Sequence, residues 1–170
     1  MTAYVALLRA VNVGGTGKLP MTDLARICEA VGLAKVRTCI ASGNVLFTSA
    51  WSERRIKGLL EGQLAAYAGR PVGVLIRTAT EMAAVHARNP FPNQPPNSTV
   101  AIFLDAAPSA DLLAAVRGQR SEQIAFGKRE IYVAYGIGMG KSKLVIPAAK
   151  TGTARNMNTI DKLAGLARAL

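Results

Sequence analysis

The first half of the chain alternates short apolar runs with amphipathic stretches. Apolar residues dominate Ala3–Leu8 and Val72–Ile76, and each run has the length of a buried strand. Two more strands are predicted at Lys35–Ile40 and Val45–Thr48, where β-branched residues are common. Because only four residues separate this second pair, the pattern predicts a β-hairpin.

Helical periodicity fills the gaps between these strands. Over Met21–Val31 apolar side chains recur three and four positions apart, and Pro20 stands where helices often begin. A second helix is predicted after Ser52, a favoured N-cap residue. Its predicted apolar face consists of Ile56, Leu59, Leu60, Leu64 and Tyr67. The order strand, helix, strand, strand, helix, strand is that of a split βαβ, or ferredoxin-like, unit.

A connecting segment separates this unit from the rest of the chain. Thr78 and Glu81 have the spacing of a capping box and predict a connecting helix. Four prolines between Asn89 and Asn97 exclude a helix or a central strand there, so this stretch is predicted to be a surface loop. The predicted division is a first half at 1–78, a connection at 79–98 and a second half at 99–170.

The second half repeats the order of elements. Strands are predicted at Thr99–Leu104, Gln123–Phe126 and Ile131–Tyr135. A helix capped by Ser109 is predicted between the first two strands. Its apolar positions are Leu112, Leu113 and Val116.

Helical structure is also predicted at the C-terminal end. A short helical piece is predicted at Ser142–Ile146, and Asn158 with Asp161 is the predicted cap of a final helix. The apolar face of that helix consists of Ile160, Leu163, Ala164 and Ala167. The predicted fold is therefore α+β, with two tandem ferredoxin-like halves packed together and a C-terminal helix. The halves do not match residue by residue, so the repeat rests on the order of elements alone.

The net charge of the chain bears on which partners it would bind. The 170 residues include 21 Lys and Arg against 10 Asp and Glu, a net charge of +11. A balance this basic favours polyanions, although it equally serves solubility. No apolar run approaches the roughly 20 residues of a membrane span, and no signal-peptide pattern is evident, so we expect a cytoplasmic protein without membrane contact. Cys28 and Cys39 lack C-x-x-C spacing and are expected to be reduced, buried thiols.

A glycine-rich loop follows the first strand. Gly14, Gly15 and Gly17 precede Lys18, but the loop is not a Walker A motif, because Asn12 stands at its first glycine position and a leucine follows the lysine. Backbone N–H groups of such a loop can still converge on an anion at a helix N-terminus. Alternatively, the glycines only turn a strand sharply into a helix.

Three further polar segments are candidates for the same chemistry. Ser42-Gly43-Asn44 is first of all a hairpin turn, because Gly and Asn favour positive φ. The segments 140–143 and 151–159 are cationic and precede predicted helices, which suits phosphate or carboxylate binding. Ordinary helix capping and solvated charge explain these two segments equally well.

The sequence contains few of the residues that known catalytic sites use. His86 is the one histidine, so a two-histidine metal site is excluded, and no nucleophile elbow supports a catalytic triad. We predict no metal and no cofactor. Asp105 is the acidic residue of most interest, because it follows a predicted strand. The aromatics on predicted strands fit a core as well as a base-stacking platform.

Several motifs together resemble a known family. They are Ala6–Gly15, Lys18–Met21, Ser42–Val45, Gly138–Leu144 and Thr153–Thr159. On these residues the chain resembles the bacterial domain-of-unknown-function 1697 family over essentially its whole length. One departure is Met157, where the family usually has Trp. The resemblance implies an α+β fold of two related subdomains and implies no activity.

We predict that residues 9–20, 42–44 and 140–159 meet in space as one positively charged pocket. The candidate ligand-binding residues are Arg9, Asn12, Gly14, Gly15, Lys18, Ser42, Asn44, Lys141, Ser142, Lys143, Arg155, Asn156 and Asn158. The first hypothesis is a module that binds nucleic acid or a phosphorylated metabolite. The second is an enzyme acting on a small phosphorylated or carboxylated substrate at that pocket, and the third is a structural protein whose charge is incidental. The sequence indicates no oligomeric state.

Overall fold

In the part of the chain that the structure describes, two antiparallel four-stranded sheets and four α-helices make the protein mixed α+β. The computed structural model describes residues 1–9, 19–39, 43–136 and 138–170. The chain divides into two compact units. The first unit holds Met1–Met82 with Leu163–Leu170, and the second holds Ala83–Lys162.

The first unit has the predicted order of elements. They are β1 (Thr2–Leu8), α1 (Met21–Ala30), β2 (Ala34–Thr38), β3 (Asn44–Ser49), α2 (Glu53–Ala68) and β4 (Val74–Thr78). The strands are neighbours in the order β2-β3-β1-β4, and every pair is antiparallel. The predicted hairpin is confirmed, since β2 and β3 pair through Thr38 and Val45.

The core of this unit follows from strand alternation and helix periodicity. On β1 and β3, Tyr4 lies opposite Phe47 and their rings stack with centroids 5.9 Å apart. Buried residues of the helices pack against the same core, namely Leu24, Cys28, Ile56, Leu60 and Leu64. Burial raises the pKa of the Cys28 thiol to about 12, so this cysteine stays protonated at neutral pH.

Local signals place the helices α1 and α2 of the first unit as predicted, but two residues of the predicted apolar face of α2 are not part of the core. The Ser52 hydroxyl accepts the Arg55 N–H at 3.3 Å, which confirms the predicted cap. Leu59 is only half-buried, and Tyr67 is 48 % exposed rather than part of the core. The Tyr67 hydroxyl instead donates to Asp23 of α1 at 2.7 Å, because a tyrosine at a helix edge can keep its polar tip outside.

The capping box and the proline-rich loop are both confirmed. The Thr78 N–H donates to Glu81 Oε2 and the Glu81 N–H to Thr78 Oγ1, at 2.8 and 3.1 Å, and α3 (Ala79–Ala87) begins there. The proline-rich stretch 89–97 contains neither helix nor strand. Its Pro95 carbonyl accepts the Thr99 hydroxyl at 2.9 Å, which fixes the loop to the next strand.

The second unit also contains a four-stranded sheet, but short 3₁₀ helices lie between its strands. Its strands are β5 (Thr99–Phe103), β6 (Gln123–Phe126), β7 (Glu130–Ala134) and β8 (Thr153–Asn156), and α4 (Met157–Arg168) begins in this unit. The strand order is β6-β7-β5-β8, and all pairs are antiparallel. Among the described residues of this unit, three short 3₁₀ helices lie between the strands, at Leu112–Ala115, Met139–Lys141 and Pro147–Thr151.

Two helix predictions in this unit are wrong. The helix expected after Ser109 is only the 3₁₀ turn Leu112–Ala115, and Ser142–Ile146 is not helical. The cause is one long-range pairing. The Arg117 N–H donates to the Val145 carbonyl at 3.0 Å, and the Val145 N–H donates back to Arg117 at 2.8 Å. Both residues must be extended to form this bridge, which excludes a helix through either.

The cap of the last helix also differs from the prediction. Asn156 Oδ1 accepts the Thr159 N–H at 2.9 Å, so Asn156 caps α4, and Asn158 is exposed in its first turn. The cap lies further toward the N-terminus than expected because β8 runs directly into α4. No helix in the described part of the chain combines the length and hydrophobicity that crossing a bilayer requires.

Candidate functional site

In the first unit, two of the predicted ligand-binding residues are engaged with the sheet. The Arg9 N–H donates to the Gly73 carbonyl at 2.9 Å. The Arg9 side chain lies over Gly73, where a Cβ would come within 2.8 Å of the arginine Cδ. Asn44 is fully buried, and its Nδ2 donates to the Cys39 carbonyl at 3.2 Å, so this side chain ties together the two ends of the hairpin loop.

The remaining candidates of the first unit are outside the described residues. They are Asn12, Gly14, Gly15, Lys18 and Ser42. Their assignment as ligand-binding residues stays a prediction. The single pocket that would join them to residues 140–159 stays a prediction as well.

In the second unit, the backbone segment that carries Lys141 and Lys143 contacts a segment that carries two arginines not predicted as site residues, Arg117 and Arg120. The bridge between Arg117 and Val145 aligns the segment after Arg117 with the segment before Val145. Gly118 has φ +72°, and a Cβ there would lie 2.1 Å from the Lys143 carbonyl oxygen. The two segments are therefore in direct backbone contact. We call the exposed side chains of Arg117, Arg120, Lys141 and Lys143 the cationic patch.

One carboxylate ties the two segments of the cationic patch together. Glu122 is only 7 % exposed, and its two oxygens accept the Arg120 N–H at 2.6 Å and the Ser142 hydroxyl at 2.8 Å. The backbone N–H of Arg120 and then the Ser142 hydroxyl lower the pKa of Glu122, so it is ionised at neutral pH. Ser142, a predicted ligand-binding residue, thus donates to Glu122, and its oxygen accepts the Leu144 N–H at 3.2 Å.

Arg155 lies apart from the cationic patch within the second unit. Arg155 pairs with Ala101, so its side chain leaves the sheet on the face opposite that of Ile102. Leu144 and Ile146, which follow the patch lysines, pack into the core on the Ile102 face. The structure therefore does not bring Arg155 together with Lys141 and Lys143.

The surroundings of Arg155 are those of a half-buried cation. Its Nη1 donates to Thr153 Oγ1 at 2.7 Å and to the Ala154 carbonyl at 2.9 Å. Burial lowers the pKa of Arg155 to about 10, which still leaves the guanidinium charged at neutral pH. Its neighbour Asn156 uses one side-chain atom to cap α4.

Catalytic groups are sparse in what the structure describes. A cavity of about 450 Å³ lies beside Leu104 and Leu112, and its charged lining residues are Asp105 and Asp111. His86 Nε2 is 3.7 Å from Asp161 Oδ1, and both side chains are largely exposed. The described ranges contain no group of three His, Cys, Asp or Glu residues that could hold a metal ion.

The comparisons with known proteins decide the family. A family model described as "Protein of unknown function (DUF1697)" matches residues 1–132. The chain belongs to the DUF1697 family. The predicted resemblance is confirmed, and the family description assigns no activity.

A solved structure is similar in fold over nearly the whole chain. The conserved bacterial protein SP0830 from Streptococcus pneumoniae is 25 % identical, with a TM-score of 0.80 and 98 % of both chains covered. The curated proteins contain no match. The family match covers Arg117, Arg120 and Glu122 but ends before Lys141, so the cationic patch of this DUF1697 protein takes its lysines from beyond the matched range.

Proposed function

We propose that this DUF1697 protein binds a phosphate-bearing polyanion, with nucleic acid as the favoured class, through the cationic patch. The observation that supports this most directly is the placement of four exposed cations from two segments distant in sequence. The backbone bridge at Arg117 and the carboxylate of Glu122 hold these segments together. Lys and Arg side chains on a fixed backbone neutralise phosphates and release counterions, which is the main source of sequence-independent affinity for nucleic acid.

An extended polyanion fits the exposure of the patch better than a small metabolite does. Small ligands are usually enclosed in a concave, largely apolar pocket. One described cavity, beside Leu104 and Leu112, is lined by Asp105 and Asp111, and these carboxylates would repel a phosphorylated or carboxylated substrate. This cavity therefore does not favour the enzyme hypothesis.

The sheets favour contacts to phosphates over contacts to bases. We propose that both units are ferredoxin-like, because the orders β2-β3-β1-β4 and β6-β7-β5-β8 correspond position by position. RNA-binding sheets of that fold expose stacking aromatics on their middle strands. Here Phe47 and Tyr132, on the inner strands β3 and β7, are buried. Binding through the cationic patch is therefore expected to be insensitive to base sequence.

Removing the two patch lysines tests the proposal. For the Lys141→Ala/Lys143→Ala variant we expect the slope of log K against log salt on a DNA duplex to become shallower by about 1.8. Because each lost phosphate contact contributes about 0.9 to that slope, affinity at roughly 0.1 M salt falls about sixtyfold. Fluorescence anisotropy titrations of a labelled duplex over a salt series measure both quantities.

A matched charge control separates the patch from net charge. Arg54→Ala/Lys162→Ala also removes two exposed cations, neither of which belongs to the patch. This control is expected to leave the slope nearly unchanged. If both double variants lose affinity equally, the charge acts diffusely; if neither does, the patch is not the binding site.

We further propose that the loop residues Asn12, Gly14, Gly15, Lys18 and Ser42, together with Arg9, add a phosphate contact of their own. The support is that the family match covers these residues, together with the anion-binding capacity of glycine-rich backbone before a helix. Lys18→Ala is then expected to make the salt slope shallower by about 0.9 in the same titration. Arg54→Ala, with the same charge change, serves as the control. An unchanged slope in Lys18→Ala would remove Lys18 from the site.

A further inference from the structure

Glu122 has a place in the cationic patch that charge alone does not explain. It is the only acidic residue of the segments 117–122 and 141–145. A carboxylate beside bound phosphates repels them, so a site selected only for positive charge would not retain one. Yet Glu122 is almost completely buried, and each of its oxygens joins a different segment of the patch.

Glu122 forms hydrogen bonds with both segments of the cationic patch. Glu122 Oε2 accepts the backbone N–H of Arg120, which is on the same segment as Arg117. Glu122 Oε1 accepts the hydroxyl of Ser142, which stands between the two lysines. The Glu122 carbonyl accepts Gln119 Nε2 at 2.8 Å, which closes the turn on the arginine side. The residue therefore joins the segment that carries the two arginines to the segment that carries the two lysines.

We infer that Glu122 is a positioning residue for polyanion binding, holding the arginine and lysine segments where one ligand can meet all four cations. This inference rests on the proposed function of the cationic patch. A preorganised site loses less entropy on binding than one whose segments must be ordered by the ligand. The carboxylate accepts two charge-assisted hydrogen bonds, which an apolar side chain could not replace.

The test compares two opposite expectations for the change in duplex affinity, one from net charge and one from the positioning role. Glu122→Ala raises the net charge by one, so by charge alone it tightens binding to a DNA duplex. Positioning predicts weaker binding instead. If one of the four phosphate contacts is lost, the salt slope becomes shallower by about 0.9 and affinity at roughly 0.1 M salt falls about eightfold. A mere fall in the folded fraction lowers the concentration of active protein but leaves the slope unchanged.

Ser142→Ala provides a second variant should Glu122→Ala fail to fold. It changes no charge and removes the contact between Glu122 and the lysine segment. We expect it to make the slope shallower in the same direction, with Ser109→Ala, an exposed serine outside the patch, as its control.

The outcomes distinguish this inference from the proposed function. Tighter or unchanged binding in Glu122→Ala and Ser142→Ala, while Lys141→Ala/Lys143→Ala still weakens binding, overturns the positioning role alone. If the double lysine variant binds as the wild type does, the proposed function itself fails. Weaker binding with a shallower slope in both the glutamate and the serine variants supports the positioning role.

Discussion

Phe47→Ala is expected to destabilise the first unit by about 4 kcal/mol. Phe47 is completely buried on the inner strand β3, and its ring stacks on Tyr4 across the sheet. Truncation removes the transfer free energy of the ring, leaves a cavity and abolishes an aromatic pair of roughly 1 kcal/mol. Urea unfolding followed by the fluorescence of Trp51, the single tryptophan and part of the same unit, measures the change.

The same truncation on another strand is the control. Phe126 on β6 is 38 % exposed, so Phe126→Ala is expected to cost only about 1 kcal/mol, measured by circular dichroism. A loss in Phe47→Ala no larger than in Phe126→Ala would mean that the sheet and helices of the first unit are not packed around that ring.

The first unit could be predicted because its signals are local. The periodicity of Met21–Val31, the cap at Ser52 and the capping box of Thr78 with Glu81 each act within a few residues. In these places local preference and the final fold agree. Such agreement is what makes prediction from a single sequence succeed.

The secondary structure of the second unit is harder to predict from the sequence, because residues distant in the chain decide it. The stretch around Leu112 is rich in leucine and alanine, which favour helix. The pairing of Arg117 with Val145, twenty-eight residues later in the chain, keeps that helix to a single 3₁₀ turn. The strand β8 escaped notice because Thr153–Asn156 has no apolar alternation, and only its pairing with β5 makes it a strand.

The candidate site was predicted only in part for the same reason. Lys141 and Lys143 stand in a cationic motif, but Arg117 and Arg120, which follow the last apolar position of a predicted helix, are not among the predicted site residues. The available signal was Gly118 between two arginines, since a glycine there interrupts a helix. Glu122 had no signal of its own, because its role depends on Ser142, twenty residues away.

Gly118→Ala is expected to destabilise the second unit by about 3 kcal/mol and to disrupt the cationic patch. At φ +72° any side chain costs roughly 1 kcal/mol. The new Cβ would also lie 2.1 Å from the Lys143 carbonyl oxygen, a backbone atom that cannot rotate away. Relief requires the two segments to separate, which breaks the two hydrogen bonds between Arg117 and Val145, each worth about 1 kcal/mol.

Comparison with Gly69→Ala separates the steric clash at Gly118 from the backbone strain. Gly69 has φ +70°, but a Cβ there meets nothing within 4 Å, so only the backbone strain of about 1 kcal/mol is expected. Urea unfolding followed by circular dichroism compares the two variants, and hydrogen exchange at the Arg117 and Val145 amides reports the bridge directly. Equal losses with intact protection of both amides would mean that Gly118 does not hold the two segments together. Because the patch lysines extend from the segment that Gly118 contacts, faster exchange in Gly118→Ala should be accompanied by weaker duplex binding. Gly69→Ala should show neither change.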